Sequence, residues 1–286
     1  MNNELTVNTS KKPNQSFRIV CLSDTHNKHD EITEFYSEMM YGSVLLHAGD
    51  FTNRGTLEEI ESFNGFIQSI KHKFTYVVII AGNHDIMMDR TINKNLLLNA
   101  DNKHPLLENC IYLQDSFVDL DIEGSKIRIY GTPYSASRPA FYMNQTKDRS
   151  IKWRTIPNDT DILVTHSPPI GIMDLITPRK PKNDSDSTEL PQQPKNTEVP
   201  QKISKNCSIC KQQHVGYGHG GSRSLWKEVI GRVKPSIHLF GHIHSGYGHQ
   251  LLQYDDGSST LFINSAMCHD DKTETIRGPV IINYCC

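Results

Sequence analysis

The stretch "FRIVCLSDTH", residues 17–26, is an apolar run that stops at two polar side chains, Asp24 and His26. In a β-strand alternate side chains leave on opposite faces, so these two project from one side of a strand's C-terminal end. Alone, a carboxylate and an imidazole so spaced are either a hydrogen-bonded pair or two ligands of one metal ion. The same construction recurs in "SVLLHAGD" (43–50), "TYVVIIAGNHD" (75–85), "DILVTH" (161–166) and "SIHLFGHIH" (236–244). Five apolar runs therefore each end on Asp, Asn or His, at the sheet edge where loops diverge and ligands bind.

Taken singly, Asp50 or Asn83 after a glycine shapes a turn, and His166 caps a core edge. Taken together, seven polar groups at one rim give an apolar sheet nothing, and carboxylates withdrawn from water need a compensating positive charge. A metal centre supplies it. Asp24, His26, Asp50, Asn83, His166, His242 and His244 are more ligands than one tetrahedral site uses. If one carboxylate bridges, they become two four-ligand shells sharing a member. The set contains no thiolate, which points to two divalent ions of Mn, Fe or Zn rather than iron–sulfur chemistry.

The other strand candidates are Ile111–Leu113, Phe117–Ile122, Lys126–Tyr130, Thr260–Asn264 and Val280–Asn283. Helical patterns fill His29–Met40 and Thr56–Lys71; in the second, Thr56 and Glu59 have the spacing of a capping box. Early crossovers and late hairpin signals, at Glu123-Gly124-Ser125 and Asp256-Gly257, indicate an α/β chain with mixed sheets and outer helices. Residues 1–15 read as a flexible leader. Residues 16–286 read as one domain, interrupted at about 177–222 by a segment too polar to offset its chain entropy. A short helix is expected after Ser224.

The 286 residues carry 30 Lys+Arg against 32 Asp+Glu, with no long basic stretch, so no stable nucleic-acid complex is expected. No run is apolar enough for a membrane span, the N-terminus lacks a secretory core, and the seven cysteines are irregularly spaced. These features point to a soluble cytoplasmic protein.

The motif order D-x-H (Asp24, His26), G-D (Asp50), G-N-H-D (Gly82–Asp85), T-H (His166) and G-H-x-H (His242, His244) resembles the calcineurin-like metallophosphoesterase superfamily. The wording of "LLHAGDFTNRG", "IYLQDS", "RIYGTPY", "DILVTHSPP" and "LFGHIHSGYG" is similar to its metallophosphoesterase-domain-containing (239-type brain protein) branch. Some members of that branch replace the first His of G-H-x-H; this chain keeps His242. The resemblance implies a four-layer αββα sandwich. It implies that Asp24, His26 and His244 hold one metal, that Asn83, His166 and His242 hold the other, and that Asp50 bridges. It also implies that His84 faces the substrate phosphate and that Asp85 orients the His84 imidazole.

Such a centre supports in-line attack on phosphorus by a hydroxide shared between the ions, with His84 assisting the leaving oxygen. The branch resemblance favours a phosphodiesterase whose partner is a phosphate-ester small molecule, a cyclic or other nucleotide. The alternatives are a Ser/Thr-type protein phosphatase and a low-turnover, metal-loaded nucleotide-binding regulator. In "GTPYSASRPAFYMN" (131–144), Tyr134, Phe141 and Tyr142 are candidates to stack on a base, and Arg138 to meet phosphate; the alternative is that the rings cover the sheet end. Cys207-Ser-Ile-Cys210 with His214 and His219 has a zinc-knuckle spacing, but inside a segment with little apolar support. Cys285-Cys286 reads as a frayed thiol end rather than a lipid acceptor. His29, His47, His72, His104, His238, His249 and His269 read as surface or packing residues.

Overall fold

The computed structural model describes residues 4–8, 16–94, 104–143, 146–176, 207–209, 218–270 and 274–285. The strands are β1 (Glu4–Asn8), β2 (Ser16–Leu22), β3 (Gly42–Ala48), β4 (Phe74–Ile80), β5 (Ile111–Tyr112), β6 (Ser116–Ile122), β7 (Ser125–Thr132) and β8 (Ile162–Thr165). They continue with β9 (Leu175–Ile176), β10 (Gly218–His219), β11 (Ile237–Phe240), β12 (Gly248–Gln253), β13 (Ser259–Asn264) and β14 (Val280–Cys285). The helices are α1 (His29–Tyr36), α2 (Leu57–Ile70), α3 (Thr146–Arg154) and α4 (Arg223–Glu228). One sheet has the order β1-β14-β2-β3-β4-β5 and the other β12-β13-β11-β8-β7-β6, with β9 and β10 forming a small ribbon.

Strand periodicity creates the layers. In β2, Ile19 and Cys21 face inward while Val20 and Leu22 face outward, and β3 and β4 alternate in the same way. The inward set meets Ile127, Ile129, Ile162, Val164, Ile237, Leu239 and Ile263 of the second sheet in a central core. The outward set of the first sheet packs on Ile32 of α1 and on Ile60, Phe63, Phe66, Ile67 and Ile70 of α2. Outside the second sheet, Tyr130, Leu163, Phe240 and Phe262 pack on Trp153 of α3 and Leu225 of α4. Three cores between four layers make the αββα sandwich that the motifs imply.

Local chemistry sets the ends. Thr56 Oγ1 accepts from the Glu59 N–H while Glu59 returns a carboxylate to the Thr56 N–H, the capping box legible in the sequence. Ser222 caps α4 and also accepts from the Trp153 indole at 3.1 Å, tying α3 to α4. The β6–β7 turn places Glu123 and Gly124 at φ 53° and 83°, the left-handed pair that hairpin twist favours.

Three expectations change. Glu4–Asn8 lie in the stretch read as a flexible leader, yet they form an edge strand parallel to β14, with Leu5 and Val7 on the central core and Glu4 paired to Arg18. Cys285 belongs to β14, in register with Ser16, and is not frayed; Cys286 lies outside the described residues. The insertion's end is structured at Gly218–His219, whereas most of 177–222, including Cys210 and His214, lies outside the described residues.

The consequence for function is directional. β2, β3 and β4 are mutually parallel, as are β8 and β11. Their C-terminal ends therefore carry Asp24, Asp50, Asn83, His166 and His242 to shared rims. The β8 and β11 ends are joined by Gly241 N–H donating to His166 O at 3.1 Å, and the two sheets are stitched where His166 Nδ1 reaches Ala48 O at 2.9 Å.

Candidate metal centre

The rim is built from strained backbone. Asp24, His26, Asp50 and His242 adopt φ of 51°, 43°, 53° and 68°, left-handed values that cost a non-glycine residue about 1–3 kcal/mol each. Loop-to-loop hydrogen bonds hold them, among them Asp24 N–H to Gly49 O at 2.9 Å and His26 N–H to Asp50 O at 3.1 Å. Gly241 is glycine for a steric reason, since a Cβ there would lie 2.0 Å from Asp24 Oδ2.

Two clusters form. Asp24, His26 and His244 make one, and Asp50, His166 and His242 the other, with donor atoms in each within 4.8 Å of one another. Asp50 faces both: its Oδ2 is 3.3 Å from His166 Nε2 and 4.0 Å from His26 Nε2. Asn83 Oδ1 stands 3.1 Å from His166 Nε2, and its amide nitrogen donates to Arg138 O at 3.2 Å, which fixes the oxygen toward the centre. The structure thus brings together all seven residues read from the strand ends.

The protons show what the clusters are shaped for. His26 Nδ1 meets Thr52 O at 3.0 Å, His244 Nδ1 meets His269 O at 3.3 Å, and His166 Nδ1 meets Ala48 O. A carbonyl only accepts, so each Nδ1 carries a proton and, whenever the ring is neutral, Nε2 turns a lone pair inward. The lone pairs of His26 and His244 then oppose each other at 3.3 Å. Asp24 Oδ1 sits beside them, fully buried and without a hydrogen bond of good geometry. His166 Nε2 likewise faces two oxygens. Lone pairs facing lone pairs in a buried rim require a cation between them, either a proton or a metal ion. The donor set therefore fits a divalent ion in each cluster.

Electrostatics agrees. Burial opposes charge on Asp24 and Asp50, but the imidazoles around them hold both carboxyls well below the usual carboxylate range. Burial pushes His26 and His242 down to about 4, which favours the neutral imidazole that a metal ion needs. Burial also works against protonation of His166, yet attraction to Asp50 outweighs it and raises the imidazole to about 9.

His84 and Asp85 both lie at the rim, Asp85 in a different role from the one expected. His84 Nδ1 donates to Asn53 O at 2.7 Å, leaving Nε2 free, and its ring stands edge-on to His26 with centroids 4.8 Å apart. Asp85 does not orient that imidazole. Its carboxylate instead accepts from Asp50 N–H (2.9 Å), Thr52 N–H (2.9 Å), Gly82 N–H (2.7 Å) and Thr52 Oγ1 (2.6 Å). Asp85 clamps the two loops that carry Asp50 and Asn83. Burial and repulsion from Asp50 push its pKa upward, while the four donors favour the ionised form.

The aromatic loop divides. Phe141 is 1 % exposed inside the helix-side core, edge-on to Tyr134, so it is a packing residue and not a stacking platform. Tyr134 packs beneath the Lys152 ammonium and is also structural. Arg138 is exposed, with its guanidinium 4.4 Å above the Tyr142 ring. Only this pair, of the four, keeps a disposition suited to a ligand.

Some supports carried no readable signal. His47, read as packing, is buried and pushed down to about 3 by that burial. Its Nδ1 accepts from Gly49 N–H, and its Nε2 meets Thr25 Oγ1 at 3.1 Å, bracing the loops that carry Asp24 and Asp50. Ser137 Oγ meets His242 Nε2 at 2.9 Å, which leaves Nδ1 for the centre. A histidine inside an apolar strand, and a serine in a loop, look alike in sequence whether or not they do this.

Comparison with known proteins reaches the same place. The Calcineurin-like phosphoesterase family profile matches residues 17–246. Human Metallophosphoesterase domain-containing protein 1 is 33% identical over 95% of this chain and 72% of its own length. A Caenorhabditis elegans protein of the UPF0046 group is 31% identical over 93% of this chain and 74% of its own length. A crystal structure at 14% identity superposes with a TM-score of 0.50, over 87% of this chain and 90% of the other, and so shares the fold. With its matched region spanning both clusters, this chain belongs to the calcineurin-like phosphoesterase family of metal-dependent phosphoester hydrolases.

Proposed function

We propose that the rim is the active site of a dinuclear phosphodiesterase that acts on nucleotides in the cytoplasm. Asp24, His26 and His244 would hold one divalent ion, Asn83, His166 and His242 the other, with Asp50 facing both sets. The observation that carries this reading is the 3.3 Å opposition of the His26 and His244 Nε2 lone pairs, beside a carboxylate that also faces His166. When bound, two divalent ions supply Lewis-acid charge for the phosphoryl oxygens and an activated water for attack.

The chain does the rest. His84 lies outside both clusters, and with Nδ1 tied to Asn53 O its Nε2 can hold a proton for the departing oxygen. Its backbone N–H fixes Asp50 Oδ1 at 2.7 Å, so the proton carrier and the shared carboxylate stay in register. The Arg138–Tyr142 pair supports the nucleotide reading, with a cation for phosphate and a ring face for a base. Residues 138–142 sit next to Asn83, since Ala140 N–H donates to Asn83 O at 3.1 Å.

The test is hydrolysis of bis(p-nitrophenyl) phosphate with added manganese, followed by cyclic nucleotides, dinucleotides and phosphopeptides. Turnover of the diester and of at least one nucleotide supports the reading. Turnover of phosphopeptides alone makes the protein a phosphatase, and nucleotide binding without turnover makes it a regulator.

A further inference from the structure

Where the chain re-enters the fold, Cys207, His219 and Asp174 come together. His219 lies on β10, paired antiparallel to β9, and Asp174 immediately precedes β9. Asp174 is 1 % exposed. Its Oδ1 accepts from His219 Nδ1 at 2.6 Å, and its Oδ2 accepts from Gly221 N–H at 3.0 Å. With the proton fixed on Nδ1, His219 turns Nε2 toward Cys207 Sγ, 3.4 Å away. That sulfur also accepts from Ile209 N–H, two residues along, at 3.4 Å.

Each of these contacts is what a tetrahedral zinc site asks for. A zinc-bound imidazole gives its other N–H to a carboxylate, which sets the tautomer. Zinc bonds of about 2.3 Å to sulfur and about 2.0 Å to nitrogen, at the tetrahedral angle, put the two atoms about 3.5 Å apart. Ile209 N–H is aimed back at the Cys207 sulfur, and the sequence places a second cysteine, Cys210, three residues on, at the C-x-x-C spacing of zinc-binding segments. A proton shared between sulfur and nitrogen would give a similar separation, so the experiment has to separate zinc from a proton.

We propose that Cys207 and His219 bind a structural zinc ion, with Asp174 as the residue that positions the imidazole. This site has a thiolate donor, unlike the rim. It would pin the β9–β10 ribbon beside the active site, since Ser245, next to His244, donates to Leu175 O at 2.9 Å.

The test titrates cobalt(II) into the metal-stripped, reduced full chain. A thiolate ligand gives an intense near-ultraviolet sulfur-to-cobalt absorption, which the oxygen and nitrogen donors around Asp50 cannot give. The band is expected in the wild type and in Asp50→Asn, absent in Cys207→Ser, reduced in Cys210→Ser, and bleached by added zinc. Asp174→Asn should keep the fold and weaken cobalt binding about 10–100-fold, the usual cost of losing such a carboxylate. In case Cys207→Ser unfolds, alkylation of wild-type Cys207 by iodoacetamide gives an independent readout, which zinc should slow. No band in the folded wild type, an undiminished band in Cys207→Ser, or alkylation at one rate with and without zinc overturns the proposal.

Discussion

Asp85→Asn separates clamping the loops from orienting His84. In the wild type one carboxylate oxygen takes Thr52 N–H and Thr52 Oγ1, and the other takes Asp50 N–H and Gly82 N–H. An asparagine can keep only one side as an acceptor. With its amide nitrogen toward Thr52, the hydroxyl can turn to accept, and one buried N–H is left without a partner; the opposite flip strands two. An unsatisfied buried group costs about 1–3 kcal/mol, and the remaining bonds each lose about 0.5–1 kcal/mol of charge assistance. The expected destabilisation is about 2–5 kcal/mol, a large share of a domain stability of about 5–15 kcal/mol. Urea unfolding of metal-stripped protein reads it as a lower midpoint at unchanged m-value. Metal affinity should fall as the Asp50 loop loosens, while kcat at saturating metal stays within a few-fold, because Asn53 and not Asp85 holds the His84 imidazole. A stability change below about 0.5 kcal/mol, typical of a surface substitution, combined with a hundredfold loss of kcat would refute this.

His84→Ala should lower kcat by roughly 10²–10⁴ with both ions retained, read by steady-state kinetics alongside elemental analysis. Gly241→Ala drives a methyl to within 2.0 Å of Asp24 Oδ2, so it should cost about 1–3 kcal/mol and empty the Asp24 cluster, measured by equilibrium dialysis. In metal-stripped protein His166 is raised from 6.5 to about 9, so folding takes up a proton between those values. Its contribution to stability is full below pH 6.5 and is lost as pH rises through about 9, and metal uptake at pH 7–8 should release that proton. Calorimetry in buffers of different ionisation enthalpy reads the release, which should vanish in His166→Ala.

The parts of this molecule legible in the sequence were those governed by local periodicity and by repetition. Each strand expected from an apolar run appears, because alternation across a sheet writes itself into consecutive residues. The Thr56–Glu59 cap is equally local. The seven polar residues were legible because the same oddity recurs at five strand ends. What escaped depends on partners far away in the chain. β1 is an edge strand whose neighbour lies at residues 281–285; its only local sign is the alternation of Leu5 and Val7, too short to stand out from the polar residues around it. α3 reads "TKDRSIKWR", with Trp153 as its one fully buried anchor, so it has no amphipathic stripe. Asp85 follows His84 directly, which invited a local pairing; three of its four donors belong to Asp50 and Thr52, brought near only by the β3–β4 register. Phe141 and Tyr142 are adjacent aromatics, and only folding buries one while stacking Arg138 on the other.

The central claim is that Asp50 sits between two cations. Crystals soaked in manganese and measured at its absorption edge should show two anomalous peaks flanking the Asp50 carboxylate, about 3.5–4 Å apart, one beside His26 and His244 and one beside His166 and His242. A single peak, or two peaks that Asp50 does not touch, contradicts it.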